Sequence, residues 1–413
     1  MQLRSHQQRA LDAMQFASKG QILVPTGGGK TLIAIMDAVR RLCSADAPQT
    51  IVVVAPRIML ATQLSSEYLE CITNANVLHV HSGETKHFST TKSDRINLFV
   101  RMCQHVGEHT IIFTTYHSLP RIIDAGIHIN CCYFDEAHNA VQRNHFVGVA
   151  AASLSADAAY FFTATPKHTR KSNRGMNNSE IYGSVLCNVP APELVNSGSI
   201  LPPTVIPFEV DITREKGAAA CTGDRAMLLG VVDSLSESQA SKILVASPAS
   251  KIMGALLFKT DILHQLKERG YSVLHITSKF GAYVDDQKVN RQEFFNTFDA
   301  WGKDPNKKFI IFHYSILSEG INVHGLTHTI MLRNLDIIEM AQTIGRVIRM
   351  NKDDAADIAS GKLVAGQVQF YRKPTGFVTV PVFKNYGAQT IKRLQRIVDT
   401  IFVEGQPATS LVV

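Results

Sequence analysis

What most restricts the fold of this chain is a series of unbroken apolar runs, most of them followed by a helical pattern. QILVP (21–25) precedes TLIAIMDAVRRL (31–42), and TIVVVAP (50–56) precedes RIMLATQLSSEYLECI (57–72). NVLHVHS (76–82), TIIFTTY (110–116), INCCYFDEA (129–137) and AYFFTATP (159–166) continue the series. A strand with one face in water alternates apolar and polar residues. A strand apolar at nearly every position is covered on both faces, which predicts a parallel sheet between layers of helices. NVPAPELVNSGSILPPTVIP (188–207) interrupts the pattern with Pro, Gly and Ser and reads as a boundary.

The pattern then restarts. KILVAS (242–247), a helix near 251–269, YSVLHITS (271–278), KKFIIFHYS (307–315) and THTIMLRN (327–334) predict a second α/β sheet. QVQFYRKP and TGFVTVPVF (367–383) read as a β-hairpin turning near Pro374–Gly376, and IKRLQRIVDTIF (391–402) as a closing amphipathic helix. The expectation is two tandem parallel-sheet domains, 1–190 and 208–413, joined by a linker at 191–207; a chain of 413 residues is long enough for two cores.

Composition narrows the function classes. Hydrophobic residues make up 45% and charged residues 19%, which excludes a disordered chain. No apolar run spans a bilayer and MQLRSHQQRALD lacks an apolar signal core, so a soluble, unexported, cytoplasmic protein is expected. The seven cysteines include no C-x-x-C, which argues against zinc and a disulfide framework; His79 and His81 share a strand face but complete no metal set. The net charge of +7 favours a polyanionic partner.

Three motifs carry the chemistry. In PTGGGKT, Pro25, Thr26, Gly27, Gly28 and Gly29 lie between a predicted strand and a predicted helix, followed by Lys30 and Thr31. Glycines let backbone N–H groups turn inward around an anion, the helix start adds its positive end, and a lysine there reaches terminal phosphates. The strict phosphate-loop pattern fails at its first position, where Val24 replaces glycine. In FDEAHN (134–139), Asp135 and Glu136 close a buried strand. Asp135 is placed to hold Mg²⁺ together with Thr31, and Glu136 to activate a water. The plainer reading of that pair is an acidic helix start. In QTIGRVIRM (342–350), Gln342, Arg346 and Arg349 share one face of a predicted helix and call for an anionic target, unless they are a solvated basic face.

Together these segments resemble the superfamily 2 helicases. PTGGGKT resembles motif I, DEAH (135–138) motif II, TATP (163–166) motif III, ILSEGINVHGL (316–326) motif V and QTIGRVIR (342–349) motif VI. LRSHQQ (3–8) is similar to the segment before motif I whose glutamine, here Gln7, reads adenine. The nearest branch holds the type III restriction motor subunits and phage recombination helicases. The resemblance implies two RecA-like domains with ATP and Mg²⁺ in the cleft between them. It assigns Glu319 and Gly320 to the nucleotide, His138, Thr163 and Thr165 to coupling, and Arg346 and Arg349 to the γ-phosphate. It implies a nucleic-acid track near Arg57, Thr115, Ser247 and Ser278, with DNA favoured over RNA. The expected function is a helicase or translocase in replication, recombination or repair. An ATP-switched clamp or annealing module, a motor subunit of a larger complex and an RNA helicase stand as alternatives. A hairpin near Arg372–Lys373 is a candidate strand-separating wedge, and loops 83–94 and 170–180, or a protein partner, are candidates for specificity.

Overall fold

The protein is described from a computed structural model covering residues 3–170, 173–235, 241–247, 249–277, 280–314, 325–332 and 335–412. Two compact units result, Met1–Pro190 with Pro407–Val413, and Ala191–Gln406.

The first unit is built on seven parallel strands. These are β1 (Lys19–Leu23), β2 (Thr50–Ala55), β3 (Ala75–Val80), β4 (His109–Thr115), β5 (Cys131–Phe134), β6 (Ala158–Thr163) and β8 (Ser184–Asn188), in the order β3-β4-β2-β5-β6-β1-β8. Between β6 and β8, β7 (Lys167–Thr169) leaves the sheet to pair with the last strand of the chain. The unbroken apolar runs become β2, β4, β5 and β6, each with almost every residue buried, because helices cover both faces. On one face Phe134 stacks on Phe161 with centroids 4.5 Å apart, and Phe161 meets Tyr182 at 4.9 Å. Each such aromatic pair adds about 0.5–1.5 kcal/mol beyond its buried area.

The opposite face anchors the helix Lys30–Cys43. Its fully buried Asp37 accepts from the Tyr133 hydroxyl at 2.7 Å and Arg41 Nε at 2.8 Å, and also from Arg40. Arg41 donates on to the Tyr160 hydroxyl at 2.6 Å. The two arginines lie in the helix's last turn, where cations offset the negative end of the dipole. The helix that starts at the glycine loop is thereby fixed at its far end to β5 and β6.

The described residues of the second unit form a sheet of eight strands, in the order β13-β12-β11-β14-β10-β15-β16-β9. They are β9 (Pro203–Val210), β10 (Lys242–Ala246), β11 (Ser272–Thr277), β12 (Gly281–Val284), β13 (Gln287–Val289), β14 (Phe309–His313), β15 (His328–Met331) and β16 (Gly376–Phe383). All pairs are parallel except β11–β12 and β12–β13, which form an antiparallel edge turning at Asp285, a residue with φ +50°. β17 (Ser410–Val412) pairs with β7 in the first unit.

The structure departs from expectation in this unit. The segment 367–383 is not a hairpin. Val368–Phe370 is a 3₁₀ turn, and β16 runs parallel between β15 and β9. Residues 191–207 hold the helix Ala191–Asn196 and the first half of β9, an edge strand whose Pro203 and Pro207 are tolerated because an edge leaves one side unpaired. The helix near 251–269 is two helices, Ser250–Lys259 and Ile262–Glu268. Among the described residues no helix is long and apolar enough to cross a membrane.

Asp224, with no exposed surface, accepts from Arg214 Nε at 2.7 Å and Nη2 at 2.8 Å. Arg214 also lies over the rings of Tyr386 and Phe383. Burial pushes the Asp224 carboxyl up and Arg214 pulls it back, so the carboxylate depends on its partner. Asp224→Ala leaves a desolvated guanidinium without a counter-charge, and the expected loss is about 3–5 kcal/mol in the stability of the second unit. Urea unfolding read on that unit checks this, and a loss below about 1 kcal/mol, the scale of an exposed pair, would contradict it.

Candidate functional site

The strand ends of the first sheet collect the polar residues singled out in the sequence. β1 ends at Leu23 and leads into the glycine loop, β5 ends just before Asp135, and β6 ends at Thr163. These three strands are neighbours, and their carboxyl ends lie on the same edge because the sheet is parallel. Open α/β sheets bind ligands at this edge.

The loop turns twice through the left-handed region, with Gly27 at φ +89° and Gly29 at φ +84°. Gly29 is also the helix's N-terminal cap. A Cβ on Gly29 would meet the side-chain amide of Gln7, which would have to shift, and the left-handed backbone itself disfavours any side chain there. Gln7 Oε1 accepts from the Arg4 backbone N–H at 3.0 Å, capping the helix Ser5–Gln15. His6 Nε2 donates to the Gly28 carbonyl at 2.8 Å. The first helix therefore braces the loop from outside, and Gln7 is buried against it.

Lys30, buried at the helix start, donates to the Val24 carbonyl at 3.4 Å and lies 3.9 Å from Glu136 Oε1. Among the described residues Glu136 is one of two non-glycine residues with positive φ, at +46°. Such a conformation costs energy and persists only where surrounding bonds impose it. Asp135 is held through its backbone, by its N–H to the Val54 carbonyl at 2.9 Å and by the Tyr116 hydroxyl on its own carbonyl at 2.8 Å. Burial first, then the charge of Glu136, pushes the Asp135 carboxyl up to about 7, against the pull of Lys30. Two crowded carboxylates are relieved by a cation, so Thr31 and Asp135 suit Mg²⁺, which keeps few protein ligands and shares substrate phosphates.

His138 connects the second and third motifs. Its Nδ1 is 3.1 Å from Thr163 Oγ1 and 3.5 Å from Glu136 Oε2, and Thr163 Oγ1 also accepts from the Thr165 backbone N–H at 3.1 Å. The buried Thr165 hydroxyl itself has no hydrogen-bond partner among the described residues. Asn139 holds the outer side of this chain, with Nδ2 3.1 Å from the Glu136 carbonyl and 3.2 Å from His138 Nε2. Asn139 carries one signal in the sequence, its position directly after DEAH.

A pH test follows from Asp135. Its folded pKa of about 7 exceeds the ordinary carboxyl value of ~4. Between those values the folded protein holds a proton that the unfolded chain has lost, so stability from this group falls as pH rises and the full penalty applies above pH ~7. Asp135→Asn is expected to melt higher than the parent at pH 8, by about 2–4 °C per kcal/mol recovered, with the gap closing toward pH 4. A parent melting higher at pH 8 would contradict the assignment.

In the second unit the arginine helix is Ile337–Val347, opened by Asp336 and Glu339 as a capping box. Gln342 and Arg346 are buried on it. Arg349 is not on that helix as expected. Ile348 ends it, and Arg349 lies in an extended segment bridged to Ile200. Arg372 and Lys373 do not form a wedge. Arg372 pairs with Asp354 at 3.0 Å and Asp357 at 2.8 Å. Buried Lys373 donates to the carbonyls of Leu326 at 2.7 Å, Val347 at 2.6 Å and Arg349 at 2.9 Å. It thereby closes the end of the arginine helix. Burial pushes Lys373 down to about 7, while three carbonyl acceptors favour its charged form.

Of the track residues, Arg57 is half-buried at the cap of the helix Ile58–Leu69. Thr115 at the end of β4 is buried, its hydroxyl 3.3 Å from Ser118 Oγ and accepting from the Ser118 N–H at 3.2 Å. Ser247 is fully buried, and its hydroxyl has no hydrogen-bond partner among the described residues. Ser278, Glu319 and Gly320 lie outside the described residues. Among the described residues no cluster of three or more His, Cys, Asp or Glu side chains could hold a metal.

Comparison with known proteins supplies the context. Residues 1–168 match the family model described as type III restriction enzyme, res subunit, and residues 226–351 the helicase conserved C-terminal domain. No curated protein matches the sequence. Among solved structures, the chain is similar over its whole length to the ATP-dependent Type ISP restriction-modification enzyme LlaBIII bound to DNA, with 14% identity and a TM-score of 0.70, covering 31% of that chain. It is similar over 99% of its length to a fragment of an HsdR subunit of a type I restriction enzyme from Vibrio vulnificus, with 15% identity, a TM-score of 0.59 and 68% of that chain covered. It is similar over 98% of its length to S. cerevisiae Dbp5 bound to RNA and ADP BeF3, with 17% identity, a TM-score of 0.56 and 89% of that chain covered. The chain spans about a third of the length of the Type ISP enzymes it resembles. These likenesses establish tandem RecA-like domains.

Proposed function

We infer, for a chain that belongs to the superfamily 2 helicases through both of its matched domains, an ATP-driven motor that moves along nucleic acid. The observation that carries this reading is the convergence of Lys30, Asp135, Glu136, His138 and Thr163 at three adjacent strand ends of one sheet.

In this reading the glycine loop and Lys30 hold the terminal phosphates of ATP through inward N–H groups and the ammonium. Thr31 and Asp135 would hold Mg²⁺, which would supply positive charge to offset that of the phosphates. Glu136 orients the attacking water and takes its proton. Gln342, Arg346 and Arg349 are the proposed partners of the γ-phosphate, stabilising the charge that develops on it. Gln7 is the proposed adenine contact, with Glu319 and Gly320 near the nucleotide. His138, Thr163 and Thr165 relay the state of Glu136 to the rest of the sheet edge. Hydrolysis then drives a cycle of closure and opening.

DNA is the proposed track, in replication, recombination or repair, with Arg57, Thr115, Ser247 and Ser278 as the residues nearest to it. β4 and β2, which lead to Thr115 and Arg57, lie beside the three strands that lead to the nucleotide groups. Main-chain N–H groups and small hydroxyls suit phosphate contacts that ignore sequence. ATP-dependent displacement of a triplex-forming strand from duplex DNA tests movement without requiring unwinding. Displacement with ATP and none with a non-hydrolysable analogue is expected; none with either refutes translocation on duplex DNA by the chain alone.

One observation favours a second reading. The chain spans about a third of the Type ISP enzymes it resembles. A motor that works as one part of a larger assembly, with a partner supplying specificity, is consistent with this. Turnover that appears only with a co-purifying protein would select it.

A further inference from the structure

We propose that Asn139 is a positioning residue of the nucleotide site, fixing His138 as its Nδ1–H tautomer and holding Glu136 in its left-handed turn. The consequence for turnover rests on the ATPase reading above; the tautomer does not.

The assignment follows from what each atom can do. The Glu136 carbonyl can only accept. It receives the Asn139 backbone N–H at 2.9 Å and the Asn139 side chain at 3.1 Å. The side-chain atom there is therefore the amide nitrogen, and Oδ1 faces Gln142 Nε2 at 2.8 Å, as this orientation requires. The same nitrogen is 3.2 Å from His138 Nε2. An amide NH₂ donates and does not accept, so Nε2 carries no proton. A neutral imidazole then has its proton on Nδ1, 3.1 Å from Thr163 Oγ1 and 3.5 Å from Glu136 Oε2.

The polarity of the chain thus begins at Asn139. Its amide presents a donor to His138, which makes His138 Nδ1 a donor toward the hydroxyl of Thr163 and the carboxylate of Glu136. Its two bonds to the Glu136 carbonyl also oppose relaxation of a residue held at φ +46°. Both Asn139 and His138 are buried, at 4% and 5% exposure, so water does not readily replace either bond. A histidine in the wrong tautomer keeps its position and loses its function.

The test uses the full chain labelled with ¹⁵N-histidine, with His138 assigned by loss of its signals in His138→Gln. The expected wild-type pattern is a pyridine-like Nε2 and a pyrrole-like Nδ1. Asn139→Asp keeps the shape and replaces the donor with an acceptor, so Nε2 is expected to gain a proton. ATP turnover is expected to fall about 10–100-fold in kcat, the range for lost supporting partners, with KM for ATP unchanged. Asn139→Ala removes the donor without reversing it and serves where the aspartate variant folds poorly; it too lowers kcat at constant KM. A wild-type His138 protonated on Nε2 overturns the proposal, as does a folded Asn139→Asp with wild-type kcat. A wild-type protein without any ATPase refutes the functional reading instead, and the ¹⁵N spectrum then decides the tautomer by itself.

Discussion

Glu136→Gln is expected to stop ATP turnover while leaving ATP binding intact. The amide keeps the size of the side chain and its place opposite Lys30 and His138, from which Glu136 is 3.9 and 3.5 Å away. It cannot take a proton. A positioned general base contributes about 10²–10⁴ in rate, so the variant should retain less than about 1% of the stimulated rate. Lys30→Ala should be equally inactive for another reason: it removes the cation at the helix start and weakens nucleotide binding itself. Fluorescent-nucleotide binding beside phosphate release separates the two. Stimulated turnover that survives in Glu136→Gln would sink the role assigned to this carboxylate.

Arg346→Ala should cost about 10³–10⁵ in turnover, the range for an arginine that meets a transferring γ-phosphoryl group. Arg346→Lys should not restore it, because a point charge does not reproduce a planar fork of donors. Arg346 is buried at 5% exposure, so a melting curve must accompany the rate. A folded Arg346→Ala with near-normal turnover would return the arginine helix to a purely structural role.

The sequence was most informative where the strands are buried on both faces. β1, β2, β4, β5 and β6 fall within three residues of the apolar runs at either end, because a strand covered by helices admits little else. The loop residues Gly27 and Gly29 were legible for a related reason, since their positive φ calls for glycine. Arg349 was misplaced because spacing alone cannot show where a helix stops: the buried lysine that closes this one, Lys373, lies 26 residues beyond Val347. Segment 367–383 was misread as a hairpin because its turn residues precede a parallel strand whose partners, β9 and β15, are distant in sequence. Asn139 illustrates the same limit within the site, where an amide's meaning depends on which carbonyl and which ring nitrogen it meets.

Nucleic acid is expected to control ATP hydrolysis by this chain. The most direct measurement is the steady-state ATPase rate of the purified protein alone and with single-stranded DNA, duplex DNA, branched DNA or RNA at one low salt concentration. Strong stimulation by a DNA ligand is expected, lost in Glu136→Gln and weakened as salt rises, because phosphate contacts release counterions. A basal rate unchanged by every nucleic acid would contradict it.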